Sequence, residues 1–326
     1  MGRRKKSVIT LKRVVILLVC FLVYASTFGW RNVKVIFSSQ SKEHETIAKN
    51  LRKHVYALSH QIGWRGMEQY EDLQKAAQYI KDSLTQLGYV VETQDFIVRG
   101  KTVSNIIVQK ISAKSPEKIM IVGANYDSYF NPGADNNASG VAALLELADL
   151  LSKEEFPVTV RLVALVNKEP PFFATADMGS AVYAKHLKTL KENIQGVILL
   201  DSIGYYSDKG RSQRYPWFLG FLYPGKANFI TLVGNAGSQG FLKTLDGALK
   251  KELSFPVQSV LGFDFINSDN ISFWREGYKA VLVTDTGGYR NPDRYSLADT
   301  YKKLNYLNMA QIVKGLCRFF QSVGQE

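Results

Sequence analysis

A chain of 326 residues, 46% apolar and 21% charged, carries enough hydrophobic material for a packed core, which excludes a wholly disordered protein. Its net charge of +12 suggests a nucleic-acid partner at first sight, but Arg3, Arg4, Lys5, Lys6, Lys12 and Arg13 supply half of that excess. No basic motif interleaved with aromatics and no zinc-finger spacing occurs, so no nucleic-acid partner is expected.

The chain opens with a basic segment, residues 1–13, followed by the uncharged run VVILLVCFLVYASTFGW, Val14 to Trp30. Such a run reads as a membrane helix at the short end of the spanning range, extended by snorkelling of Lys12 and Arg13. The positive flank places the N-terminus in the cytoplasm and the main domain outside it, as a single-pass anchored protein. The alternative is a secretory signal peptide, for which Val23 and Ala25 resemble the small-residue cleavage pattern, leaving a secreted protein. Residues 31–45 are polar and expected to be a linker, and 46–326 to be the folded domain. Two cysteines, Cys20 and Cys317, provide neither a disulfide framework nor a metal site.

From Glu45 the pattern turns helical. Ile47, Leu51, Val55 and Leu58 recur at helical spacing, and YEDLQKAAQYIKDSLTQLG closes on Gly88, a suitable C-cap. The segments YVVETQDFIV and VSNIIVQKI then alternate like neighbouring strands. Short apolar strands follow (KIMIVGA, TVRLVALV, GVILLD, AVLVTD), with helices expected over 140–151 and 180–191 and a terminal helix after Leu304. This order implies an α/β fold, doubly wound, with a mixed and mostly parallel sheet flanked by helices. Ligands bind such sheets beyond the carboxyl ends of the strands, which directs attention to NYDSY, NKEPPFF, DSIGYY and TDTGGY.

Those motifs, with GADNNASGVAALLELADLL, SDNISFWREGYKAVLVTDT and YRNPDRYSLADTYKKLNY, resemble the co-catalytic zinc aminopeptidases, metallopeptidase family twenty-eight, whose relatives include glutaminyl cyclases. The resemblance covers about Leu51 to the C-terminus. It implies two zinc ions bridged by an aspartate, each completed by a histidine and a carboxylate, with a glutamate as general base. Carried onto this chain, the first histidine position holds Asn125, the bridging aspartate Asn136, the general base Lys168 and the last histidine Tyr295. The carboxylate positions keep Glu169 and Asp201, and Asp127 is retained in a supporting role.

Zinc prefers thiolate, imidazole and carboxylate ligands, and at least three of them. Each ion would keep one. None of the four histidines, His44, His54, His60 and His186, falls in a strand-end motif. Resemblance therefore implies zinc, whereas the ligand set leads to an expectation of no metal cofactor. Two carboxylates left together without a cation would repel and take up protons, so Lys168 is expected to pair with Glu169, Asp201 or Asp127. The leading expectation is an anchored, non-catalytic domain that binds a peptide, sugar or protein ligand in the former cleft. The alternative is an exopeptidase releasing N-terminal amino acids through an altered or single-metal centre. Hydrolysis through Ser128 or Ser139 lacks a histidine base in the motifs.

Overall fold

The computed structural model describes residues 42–215, 224–262 and 268–323. The chain divides into Met1–Thr46, of which 42–46 are described and helical, and Ile47–Glu326, which holds the sheet. The apolar run Val14 to Trp30 and most of the expected linker lie outside the described residues. Residues 42–45, the last of the expected linker, are helical. No helix among the described residues is long and apolar enough to cross a membrane.

Helix α1 (residues 42–56) passes into a π-helical turn, Ala57–Ile62, and buries Leu51, Val55 and Leu58. Helix α2 (Tyr70–Gln86) buries Leu73, Ala76, Ala77, Ile80 and Leu84, one face of a 3.6-residue repeat. It ends as the sequence predicts. Gly88 sits at φ +86°, its N–H bonds Thr85 O at 2.9 Å, and Tyr89 N–H returns to Leu84 O at 3.2 Å, a Schellman cap.

Eight strands form one sheet: β1 (Glu92–Val98), β2 (Lys101–Lys110), β3 (Lys118–Asn125), β4 (Thr159–Leu165), β5 (Asn193–Leu200), β6 (Ile230–Gly234), β7 (Val257–Leu261) and β8 (Ala280–Thr284). Their order is β1-β2-β4-β3-β5-β8-β6-β7. The centre, β4-β3-β5-β8, is parallel, while β1–β2, β2–β4 and β6–β8 pair antiparallel. β6 and β7, which run parallel to each other, were not among the strands the sequence predicts.

The central strands are buried on both faces, so the two-residue alternation of side chains feeds two cores. Met120, Val122, Ile198, Leu200, Val281 and Val283 face a large core shared with α1, α2, α3 (Ser139–Ser152), α5 (Gln239–Glu252) and α7 (Tyr306–Ser322). Ile119, Ile121, Val197, Leu199, Ala280 and Leu282 face a smaller one, closed by α4 (Gly179–Leu190) and α6 (Asn270–Arg275). Ten consecutive residues of α3, Ser139 to Ala148, are buried, which marks it as the inner helix. Its N-terminus meets the end of β5, where Asn137 Oδ1 accepts from both Gly140 N at 3.1 Å and Ser202 N at 3.0 Å.

Candidate functional site

Strands β3, β4, β5 and β8 point their carboxyl ends the same way, so the residues that follow them collect at one edge of the sheet. Lys168 and Glu169 follow β4, Asp201 follows β5, and Asn136 comes from the turn before α3. That turn is held from behind: Asp299 accepts from the backbone N–H of Asp135 at 3.0 Å and of Asn136 at 3.3 Å.

The Lys168 side chain is 5% exposed, and its ammonium lies 2.9 Å from Glu169 Oε1, 3.0 Å from Asp201 Oδ2 and 3.2 Å from Asn136 Oδ1. Three protons thus meet three acceptors. Asn136 Nδ2 donates to Glu169 Oε1 at 2.8 Å, closing the ring. Of the three partners expected for Lys168, Glu169 and Asp201 are in contact with it. Asp127 takes another place, accepting from Glu169 N–H at 2.8 Å and from Asn125 Nδ2 at 3.1 Å. Asn125 in turn accepts from Asn137 Nδ2 at 2.9 Å, so its amide braces the turn rather than the ammonium.

A second cation enters the network that the motif reading does not contain. Arg294 Nη2 donates to Asn136 Oδ1 at 2.9 Å and lies 3.5 Å from Asp201 Oδ1. Taking Lys168, Glu169 and Asp201 alone leaves a charge of minus one; Arg294 brings the cluster to neutrality. The residual negative charge, with an arginine beside a former ligand position, was the available signal. Ser268 and Ser202, also absent from that reading, donate to Asp201 at 2.6 and 3.1 Å. Tyr295 is 60% exposed and lays its ring over Arg294, 5.1 Å from Cζ. On the other side, a Cβ added to Gly287, at φ +50°, would collide with Arg294 Nη1.

Electrostatics follow from burial and pairing. Burial by itself would push the Lys168 pKa down, but the carboxylates of Asp201 and Glu169 outweigh it and hold the ammonium above the ordinary lysine range. Asp201 shows the converse: burial raises it, yet Lys168, Arg294 and Ser268 bring it below the usual carboxylate range. Asp127 is pushed up by burial and by Glu169. Ser128 and Ser139 donate to Asn131 O and Asp135 O at 3.0 and 2.7 Å, bonds of loop structure.

Lys168, Glu169, Asp201, Arg294 and Tyr295 line a cleft of about 400 Å³ that also includes Pro170, Phe173, Thr286 and Tyr289. Among the described residues, no group of three His, Cys, Asp or Glu side chains is placed to hold a metal ion.

Residues 105–319 match the model of peptidase family M28. The chain belongs to that family. Over 284 residues it is 36% identical to the uncharacterized protein YfbL of Escherichia coli, covering 82% of this chain and 86% of that one. Solved M28-like folds agree at lower identity. LapB of Legionella pneumophila superposes with a TM-score of 0.70 at 20% identity, over 87% of this chain and 74% of that one. BSAP, a zinc aminopeptidase from Bacillus subtilis, gives a TM-score of 0.66 at 16% identity, over 83% and 94%. Within the M28 frame, the ammonium of Lys168 touches the side chains at three positions where the family resemblance implies metal ligands: Asn136, Glu169 and Asp201.

Proposed function

We propose that this M28 domain is metal-free and non-catalytic, and that it binds a ligand in the cleft beyond its strand ends. One observation carries the reading: the Lys168 ammonium sits 2.9 to 3.2 Å from all three of Asn136, Glu169 and Asp201. A zinc ion bonded to those carboxylates at about 2.0–2.2 Å would be pressed against a fixed positive charge. Asn125 and Asn136 offer only neutral amide oxygens, with the Asn136 oxygen already shared by Lys168 and Arg294. The donor set does not fit zinc, and no hydrolytic step is derived through it. Replacing a general base typically lowers a rate by about 10²- to 10⁴-fold by itself.

The test is metal analysis of untreated protein together with turnover of aminoacyl-nitroanilides in added zinc or cobalt. No stoichiometric metal and no turnover are expected. Bound zinc with turnover that a chelator abolishes would establish instead the exopeptidase with an altered or single-metal centre.

Anchoring through Val14 to Trp30, with the domain outside the cytoplasm, is part of the same proposal and rests on the uncharged run and its basic flank. Alkaline extraction of membranes should leave the protein in the pellet. A mature N-terminus beyond Ala25 would show the segment to be a cleaved signal peptide.

A further inference from the structure

Lys168 spends its three protons inside the network and has nothing left for a ligand. Arg294 differs. Only its Nη2 is engaged; Nε is buried without a hydrogen-bond partner, and Nη1 has none among the described residues. A guanidinium has five N–H donors, and buried donors left unmade are costly, the more so on a charged group.

The same guanidinium is held in place before any ligand arrives. Tyr295 covers one side, Gly287 packs where no Cβ fits, and the Arg294 carbonyl accepts from Asn131 Nδ2 at 2.7 Å. Both carboxylates in the cleft already meet cations or donors. Asp201 Oδ1 is met by Ser202 and Arg294, Asp201 Oδ2 by Lys168 and Ser268, and Glu169 Oε1 by Lys168 and Asn136. An incoming ammonium would find those acids already neutralised, whereas an incoming anion finds unpaired N–H groups on a fixed cation.

We infer that the cleft takes its ligand through a carboxylate seated on Arg294, with an apolar or aromatic body against Phe173, Tyr289 and Tyr295. Phe173 and Tyr295 are 38% and 60% exposed, which leaves them surface to cover. A monoanion suits the site better than a phosphate dianion, because a second negative charge would lie close to Glu169 and Asp201 with no further free cation in the cleft lining. The volume of about 400 Å³ suits a ligand on the scale of a capped amino acid. This assignment rests on the metal-free reading, since the same neutralised acids underlie both.

The experiment is calorimetric titration of the full-length protein with N-acetylphenylalanine, its uncharged amide, and phenylalanine amide as the cationic probe. The acid should bind at least about tenfold more tightly than either, the scale of one charge-assisted contact. Arg294→Gln should erase the preference, so that acid and uncharged amide bind alike. If that variant does not fold, the salt dependence of the wild-type protein decides. Affinity for the acid should fall as sodium chloride rises while affinity for the uncharged amide stays constant.

An acid that binds no better than the amides, the absence of binding by all three, or an equal salt response would overturn the assignment. Metal content measured on the same sample keeps the two readings apart. Stoichiometric zinc removes the metal-free reading, whereas zinc-free protein without acid preference removes only the carboxylate assignment.

Discussion

Lys168→Met removes the ammonium while keeping much of the side-chain volume. At 2.9 and 3.0 Å from two carboxylates, each pair is worth roughly 5–6 kcal/mol of Coulomb attraction at an effective dielectric of about 20. Desolvating the ammonium offsets several kcal/mol of that. What remains after truncation is worse than a lost pair. Glu169 and Asp201, each 4% exposed, stay buried, with Arg294 no closer than 3.5 Å to Asp201. Breaking a buried pair from one side costs about 3–5 kcal/mol, a large part of the stability of an ordinary domain.

The sign with pH is also fixed. In the wild-type protein Asp201 titrates below the ordinary aspartate value of about 3.9, so its contribution is full above that value and fades only as pH falls below it. In the variant, two buried carboxylates share the single charge of Arg294, and one of them takes up a proton. The native state then binds more protons than the unfolded chain above pH 4, and the variant regains stability as pH is lowered from about 7 toward 5. Urea unfolding of both proteins at pH 5 and pH 7.5 measures this. A variant within about 1 kcal/mol of wild type at pH 7.5, with no gain at pH 5, would refute the account of Lys168 as the site's counter-ion.

Arg65 is fully buried and donates to five carbonyl oxygens, those of Leu58, Gly63, Tyr126, Pro132 and Gly133. Arg65→Met should lower unfolding stability by at least about 3 kcal/mol; a loss below about 1 kcal/mol would show those bonds to be replaceable by water. Asp269 is pushed up to about 7 by burial, so it holds a proton in the native state that the unfolded chain loses near 4. Stability should fall by up to about 4 kcal/mol as pH rises from 4 to 8, and Asp269→Asn should flatten that slope. An unchanged slope in urea titrations of the variant would exclude Asp269 as its source. Restoring the family's residues as Asn125→His, Asn136→Asp, Lys168→Glu and Tyr295→His should give weak zinc binding at best, because Arg294 lies 2.9 Å from the Asn136 carbonyl oxygen. Adding Arg294→Ser should raise zinc affinity at least about tenfold by calorimetry, and equal affinities would show that Arg294 does not oppose the metal.

Much of this was legible in the sequence because the relevant signals are local. Gly88 marks the end of α2 by the backbone conformation it permits, and the runs of β3, β4, β5 and β8 announce strands buried on both faces. β6 and β7 escaped for different reasons. Ile230 to Gly234 is a five-residue apolar run without alternation, as compatible with a helix turn as with a strand, while β7 alternates buried and exposed at the sheet's edge with Leu261 in solvent. In the site, the positions of Asn136, Lys168, Glu169 and Asp201 followed from the family resemblance. That Lys168 would pair with Glu169, Asp201 or Asp127 followed from charge. Arg294 did not follow, because its contact with Asn136 spans 158 residues of chain, and the residual negative charge beside Tyr295 was the one signal for it. Arg65 was hidden likewise: its acceptors are backbone carbonyls, which leave no trace in side-chain patterns.

Zinc in a metallopeptidase is borrowed from its surroundings and can be diluted, chelated or exchanged for another ion. The ammonium of Lys168 is tethered by its own polypeptide, one residue from the carboxylate it neutralises. Chelators have no purchase on it, and scarcity of transition metals in the medium leaves it in place. On the metal-free reading proposed above, the shape of this cleft is set at synthesis, independent of the metal supply wherever the protein resides.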